Sequence, residues 1–131
     1  MRLTILLGGL LVASSVAAHP LDGDWNSFLE ECNSETDDMM TIDVEAGTIR
    51  YFEAGCEIIS IEVIGTQESA WRTMLSCGSE ASTAERESIL MIDAPFDGSP
   101  TRLIDLQLDT GFVASRYKCS EADETMTDPA G

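Results

Sequence analysis

The chain has 131 residues, 24 acidic against 7 Lys and Arg, for a formal net charge of −17. So acidic a polymer repels phosphates, which sets aside nucleic acid and anionic membrane surfaces as partners. Its length suits one domain with a real core, at a size where covalent staples still help.

The opening stretch MRLTILLGGLLVASSVAAHP has the order of a secretory signal. Arg2 is the positive n-region, Leu3 to Val12 the apolar run, and Ser14 to Ala18 the small-residue approach to a cut. The apolar run falls short of the roughly 20 residues a membrane-spanning helix needs. A cut after Ala18 starts the mature chain at His19; the alternative triplet Ser15-Val16-Ala17 starts it at Ala18. Residues 1–18 are therefore read as signal peptide and 19–119 as one barrel domain. Residues 120–131, acidic and without aromatics, are read as a disordered tail. Such a protein is expected in the periplasm or outside the cell, as a monomer, with no membrane contact after processing.

Next comes Trp25, Phe28 and Leu29, whose i, i+3, i+4 spacing predicts one or two helical turns. From residue 40 the period becomes two. Met40, Ile42 and Val44 alternate with Thr41, Asp43 and Glu45, and Thr48 to Phe52 is a second short run. Ile59, Ile61 and Val63 share a face, as do Trp71, Thr73, Leu75 and Cys77. Ile89 and Met91 oppose Leu90 and Ile92, and Ile104, Leu106 and Leu108 alternate with Asp105, Gln107 and Asp109. Val113, Ser115, Tyr117 and Cys119 line one face of the last strand.

Short strands at this spacing, separated by Gly-, Asp- and Ser-containing turns, predict an all-β fold. The form expected is a small antiparallel meander barrel of about 6–8 strands with a short N-terminal helical turn. The inward set is read as Met40, Ile42, Val44, Ile59, Ile61, Val63, Trp71, Leu75, Ile104, Leu106, Leu108 and Tyr117. These side chains are bulky enough to fill a small barrel. Trp25, Trp71 and Tyr117 are the expected structural aromatics, with Trp25 capping one end.

Cys32, Cys56, Cys77 and Cys119 are an even set in an exported chain and read as two disulfides. Zinc is set aside because there is no Cys-x-x-Cys pair and only one His. A regular hairpin would pair Ile59 with Leu75, Ile61 with Thr73 and Val63 with Trp71. Cys77 then opposes Glu57, and Cys56 points to the other face, so a Cys56–Cys77 bridge would be strained. On that register the favoured pairs are Cys32–Cys56 and Cys77–Cys119.

Candidate chemistry is sparse. An amino-terminal His19 offers copper an amine and one imidazole, but a second imidazole is missing. The same lack removes Ser-His-Asp and Cys-His nucleophile systems, and no phosphate loop or His-Glu-x-x-His occurs. Asp93 and Asp97 are the weak calcium candidates, without the spacing of an EF-hand loop. The reading is therefore no catalytic residues, no cofactor, no enzyme, and a basic protein as the possible partner.

Gly23-Asp24-Trp25 together with Arg116 in the last strand superficially resembles a lipocalin. In that superfamily Gly-x-Trp opens the first strand and a late basic residue packs over the Trp ring. The order Trp25, Cys32, Tyr51-x-x-x-x-Cys56, Trp71, Cys77, Tyr117-Lys118-Cys119 is similar to small exported bacterial proteins of unknown function. That resemblance implies two disulfides and a small β-fold, and it carries over no activity. Small periplasmic lysozyme inhibitors share the size and stapled style, but their inhibitory loop motif is not found here.

Overall fold

A computed structural model describes residues 18–32, 38–52, 54–79 and 82–119; the expected signal peptide before Ala18 and the acidic tail lie outside the described residues. Eight strands follow one another: β1 (Gly23–Asn26), β2 (Met40–Asp43), β3 (Thr48–Tyr51), β4 (Ala54–Val63), β5 (Ala70–Ser79), β6 (Ser82–Asp93), β7 (Arg102–Gln107) and β8 (Val113–Lys118). They form a closed antiparallel barrel in chain order, with β8 pairing back onto β1. The all-β meander barrel expected from the alternation is the fold.

The start of the domain differs from expectation. Gly23 pairs with Ile42 and Trp25 with Met40, so the Gly-Asp-Trp triplet is strand rather than helix. Among the described residues between β1 and β2, helical geometry is a single 3-10 turn, Leu29–Glu31. Barrel closure explains this: without β1, both β2 and β8 would present unpaired N–H and C=O groups. Four residues of strand satisfy both edges, and a one-turn helix offers nothing of comparable value.

Side chains fill the barrel. Leu21, Trp25, Met40, Ile49, Leu75, Leu90 and Leu103 have no exposed surface, and Trp71 is nearly as buried. Each such aliphatic contributes on the order of 1.5–3 kcal/mol. Of the expected inward set, Met40, Ile42, Trp71 and Leu75 are core, with Val44 and Ile61 packed against them. Ile59 and Val63 are instead about half exposed, at a bulge and a strand end respectively. Ile104, Leu106, Leu108 and Tyr117 are not inward either; Leu103, Asp105 and Arg116 are buried in their place. Strand β7 carries aliphatics on both faces, so alternation alone does not choose, and pairing with β6 sets Leu103 against Ile92 and Asp105 against Leu90.

The disulfides join Cys32 to Cys119 and Cys56 to Cys77, which corrects both expected pairs, Cys32–Cys56 and Cys77–Cys119. The reason is a β-bulge. Val63 faces Trp71 and Ile61 faces Thr73 as the regular hairpin requires, but the register shifts between Ile58 and Ser60. Ile59 is the additional residue, so Ile58 rather than Ile59 meets Leu75, and Cys56 comes directly opposite Cys77. One bulged residue reverses the facing of everything before it.

Candidate functional site

The barrel interior is not uniformly apolar. Asp105 on β7, Arg116 on β8 and Ser88 on β6 are buried on three successive strands, and Tyr51 reaches in from β3. The Tyr51 hydroxyl donates to Asp105 Oδ2 at 3.1 Å. Arg116 Nη1 stands 3.7 Å from the same oxygen, an ion pair longer than a hydrogen bond. Arg116 Nε donates to the Asp38 carbonyl at 3.0 Å, which ties the segment before β2 to the core. The Arg116 guanidinium also lies over the Tyr51 ring, 5.7 Å from its centroid. Ser88 Oγ, Asp105 Oδ1 and Arg116 Nη1 have no hydrogen-bond partner among the described residues.

Burial sets the protonation of this cluster. It raises the Asp105 carboxyl above the ordinary carboxylate value, with the Arg116 charge and the Tyr51 hydrogen bond pulling the other way. Burial, then the Asp105 charge, pushes the Tyr51 phenol well above its ordinary value, so it remains a donor. Asp105 is held in place by these contacts rather than presented to solvent.

The polar cluster has a consequence on the outside of the barrel. With Leu103 and Asp105 turned in, strand alternation sends Ile104 and Leu106 out. Ile104 pairs with Met91 and Leu106 with Ile89 on β6, and Leu106 pairs with Val113 on β8. These residues therefore form a contiguous, partly exposed apolar band across three strands; on β7 the outward face was expected to carry Asp105, Gln107 and Asp109. Val113 is 57% and the neighbouring Phe112 58% exposed. Two ion pairs flank the band, Arg72 with Glu87 at 2.6 Å and Arg102 with Asp93 at 2.5 Å. The sequence contained a signal for this: LIDLQL places aliphatics on both parities, which a one-sided strand does not do.

The remaining sequence candidates are placed by local contacts. The His19 ring packs 5.1 Å from the Trp71 ring, and its Nδ1 accepts the Leu21 N–H at 3.1 Å. It is a half-buried member of the plug that seats Leu21, not a solvated leftover of processing. Trp25 is fully buried, and its indole N–H donates to the Leu21 carbonyl at 3.0 Å. The cation over the Trp25 ring is Lys118, 5.6 Å from the centroid, and not Arg116 as the lipocalin resemblance implied. Asp93 is engaged by Arg102, while Asp97 is held below the ordinary carboxylate value by hydrogen bonding from the Ser99 side chain and then from the Ser99 N–H. No group of three metal-binding side chains occurs among the described residues.

A cleft of about 320 Å³ opens where β5 and β6 extend beyond their neighbours, lined by Ala54, Cys77, Gly78, Ala84, Arg86 and Asp109. A Cβ on Gly78 would collide with the Ser82 carbonyl, so glycine is required for the close strand approach. Arg86 makes no ion pair with another described residue. Comparison with known proteins finds no matching family model, no matching curated protein and no matching solved structure.

Proposed function

We propose that this protein is an exported, non-enzymatic binding module of the periplasm or extracellular space. The observation that carries the reading is the division of labour in the barrel. Side chains fill the interior, so recognition falls to the outer surface, where an apolar band, half-buried on β6 and β7 and exposed at Phe112 and Val113, lies among acidic groups. Two disulfides are compatible with an oxidising compartment, and among the described residues no helix is long and apolar enough to cross a membrane.

A basic protein is the partner that the charge favours. Against 24 acidic residues the chain has 7 basic ones, and among the described residues three of those form ion pairs. Most carboxylates thus lack a cation within the chain. Scavenging or inhibiting a basic envelope protein is the specific form this takes. Biolayer interferometry with purified lysozyme as the cationic probe, and an acidic protein of like size as control, tests it. Micromolar binding to lysozyme alone at about 50 mM salt, weakened at about 500 mM, is expected from screening. No binding to the basic probe at low salt would refute the reading.

A further inference from the structure

We propose that the outer face of β6, β7 and β8, centred on Ile104 and Leu106, is the docking surface, and that its occupant is a basic protein presenting an apolar patch framed by Lys and Arg. The inference rests on the binding-module reading and names the surface that performs it.

Three features select this face. The cross-strand pairs Met91–Ile104, Ile89–Leu106 and Leu106–Val113 make its aliphatics contiguous rather than scattered, half-buried on β6 and β7 and open at Val113, and contiguous accessible apolar surface marks interaction sites. The band has the anatomy of an interface: an apolar centre with the Arg72–Glu87 and Arg102–Asp93 pairs at its margins. The loop after β6 and the turn after β7 add Asp97 and Asp109 beyond its two ends, neither in an ion pair with a described residue. A partner seated on the band would thus find aliphatics at the centre and carboxylates around them.

Topology and charge then choose the occupant. Strand β7, at the centre of the face, is paired on both sides, so an extended peptide cannot add to it, and a partner must lie across the face. A second copy of this chain would bring its own net −17 against the first, which opposes self-association. A cationic partner gains from the same charge, in encounter rate above all.

Methyl NMR on the intact, disulfide-bonded protein tests this with two synthetic helical peptides of equal positive charge, one of Leu and Lys, one of Ser and Lys. The Leu/Lys peptide is expected to shift the methyls of Ile89, Ile104, Leu106 and Val113, and to bind at least tenfold more tightly than the Ser/Lys peptide. The double substitution Phe112→Ser with Val113→Ser, at positions more than half exposed, should weaken Leu/Lys binding several-fold and leave the thermal melt unchanged. Equal binding of both peptides, or shifts centred on the Arg86 cleft, would overturn the docking face while the basic-partner reading stands. Failure of both peptides to bind at low salt overturns the two together. Dimerisation in sedimentation that the double substitution abolishes would replace the basic occupant with a second copy.

Discussion

Asp105 shows how one buried carboxyl can leave a mark on the pH dependence of the whole protein. Burial raises its pKa in the folded chain above the ordinary 3.8, against the opposing pull of Arg116 and Tyr51. Between those two values the native state holds a proton that the unfolded chain has released. Stability therefore falls as pH rises through that window. In Asp105→Asn this contribution vanishes, while the general repulsion among surface carboxylates stays common to both proteins. Thermal midpoints followed from about pH 4 to pH 7 should accordingly decline more steeply for the wild type than for the variant. Parallel curves would show that the site does not hold its proton. Tyr51→Phe tests the same cluster from its donor side. It leaves Asp105 Oδ2 with only the 3.7 Å approach of Arg116, and a loss of about 1–3 kcal/mol in urea unfolding is expected for a buried acceptor left unpaired. A loss within error would mean that the hydroxyl contributes nothing to folding.

At the scale of strands and staples, what the sequence discloses stops where pairing partners begin. Alternation was enough to place β2 and β5 and to predict a meander, because β2 carries its apolar residues on one parity and β5 its large ones, Met74 apart. It failed on β7, whose inward choice depends on Tyr51 and Arg116 from other strands, and it could not foresee the bulge at Ile59. The docking face and the polar cluster went unread for the first of these reasons, the Cys56–Cys77 pair for the second. The bulge makes its own prediction. Removing Ile59 would leave Ile58 against Leu75 and Ser60 against Met74 in regular alternation, with Cys56 still opposite Cys77. A non-reduced peptide map of that deletion should keep the Cys56–Cys77 link; a new pairing or free thiols would contradict the observed register. The staples also differ in reach. Cys32–Cys119 closes a loop of 87 residues and Cys56–Cys77 one of 21. Restriction of the unfolded chain makes the first worth about 4.6 kcal/mol and the second about 3.3. Paired Cys→Ala variants in urea should follow that order, and a reversal would place the stabilisation in native packing instead.

Taken whole, the molecule is a small filled barrel with far more negative charge than it can neutralise. Folding brings those charges closer than they are in the extended chain, so self-repulsion opposes the compact state. Salt bears on this balance in two ways that have opposite signs. It screens repulsion, which stabilises, and it weakens ion pairs, which destabilises. Among the described residues the pairs open to screening are Arg72–Glu87 and Arg102–Asp93, both well exposed, and exposed pairs are worth little. The third, Asp105–Arg116, is buried and largely beyond the reach of added ions. Repulsion therefore dominates the response. The Debye length shrinks from about 30 Å at 0.01 M to about 10 Å at 0.1 M, from spanning the whole barrel to spanning near neighbours. Raising NaCl across that range and on to about 0.5 M should lift the thermal midpoint by roughly 5 °C, equivalent to about 1 kcal/mol for a domain of this size. Sodium chloride is the appropriate salt, because sulfate would add its own exclusion from the surface. A midpoint that falls with salt would mean that attractive pairs outweigh the carboxylate excess, and with it the ground for expecting a basic partner would disappear.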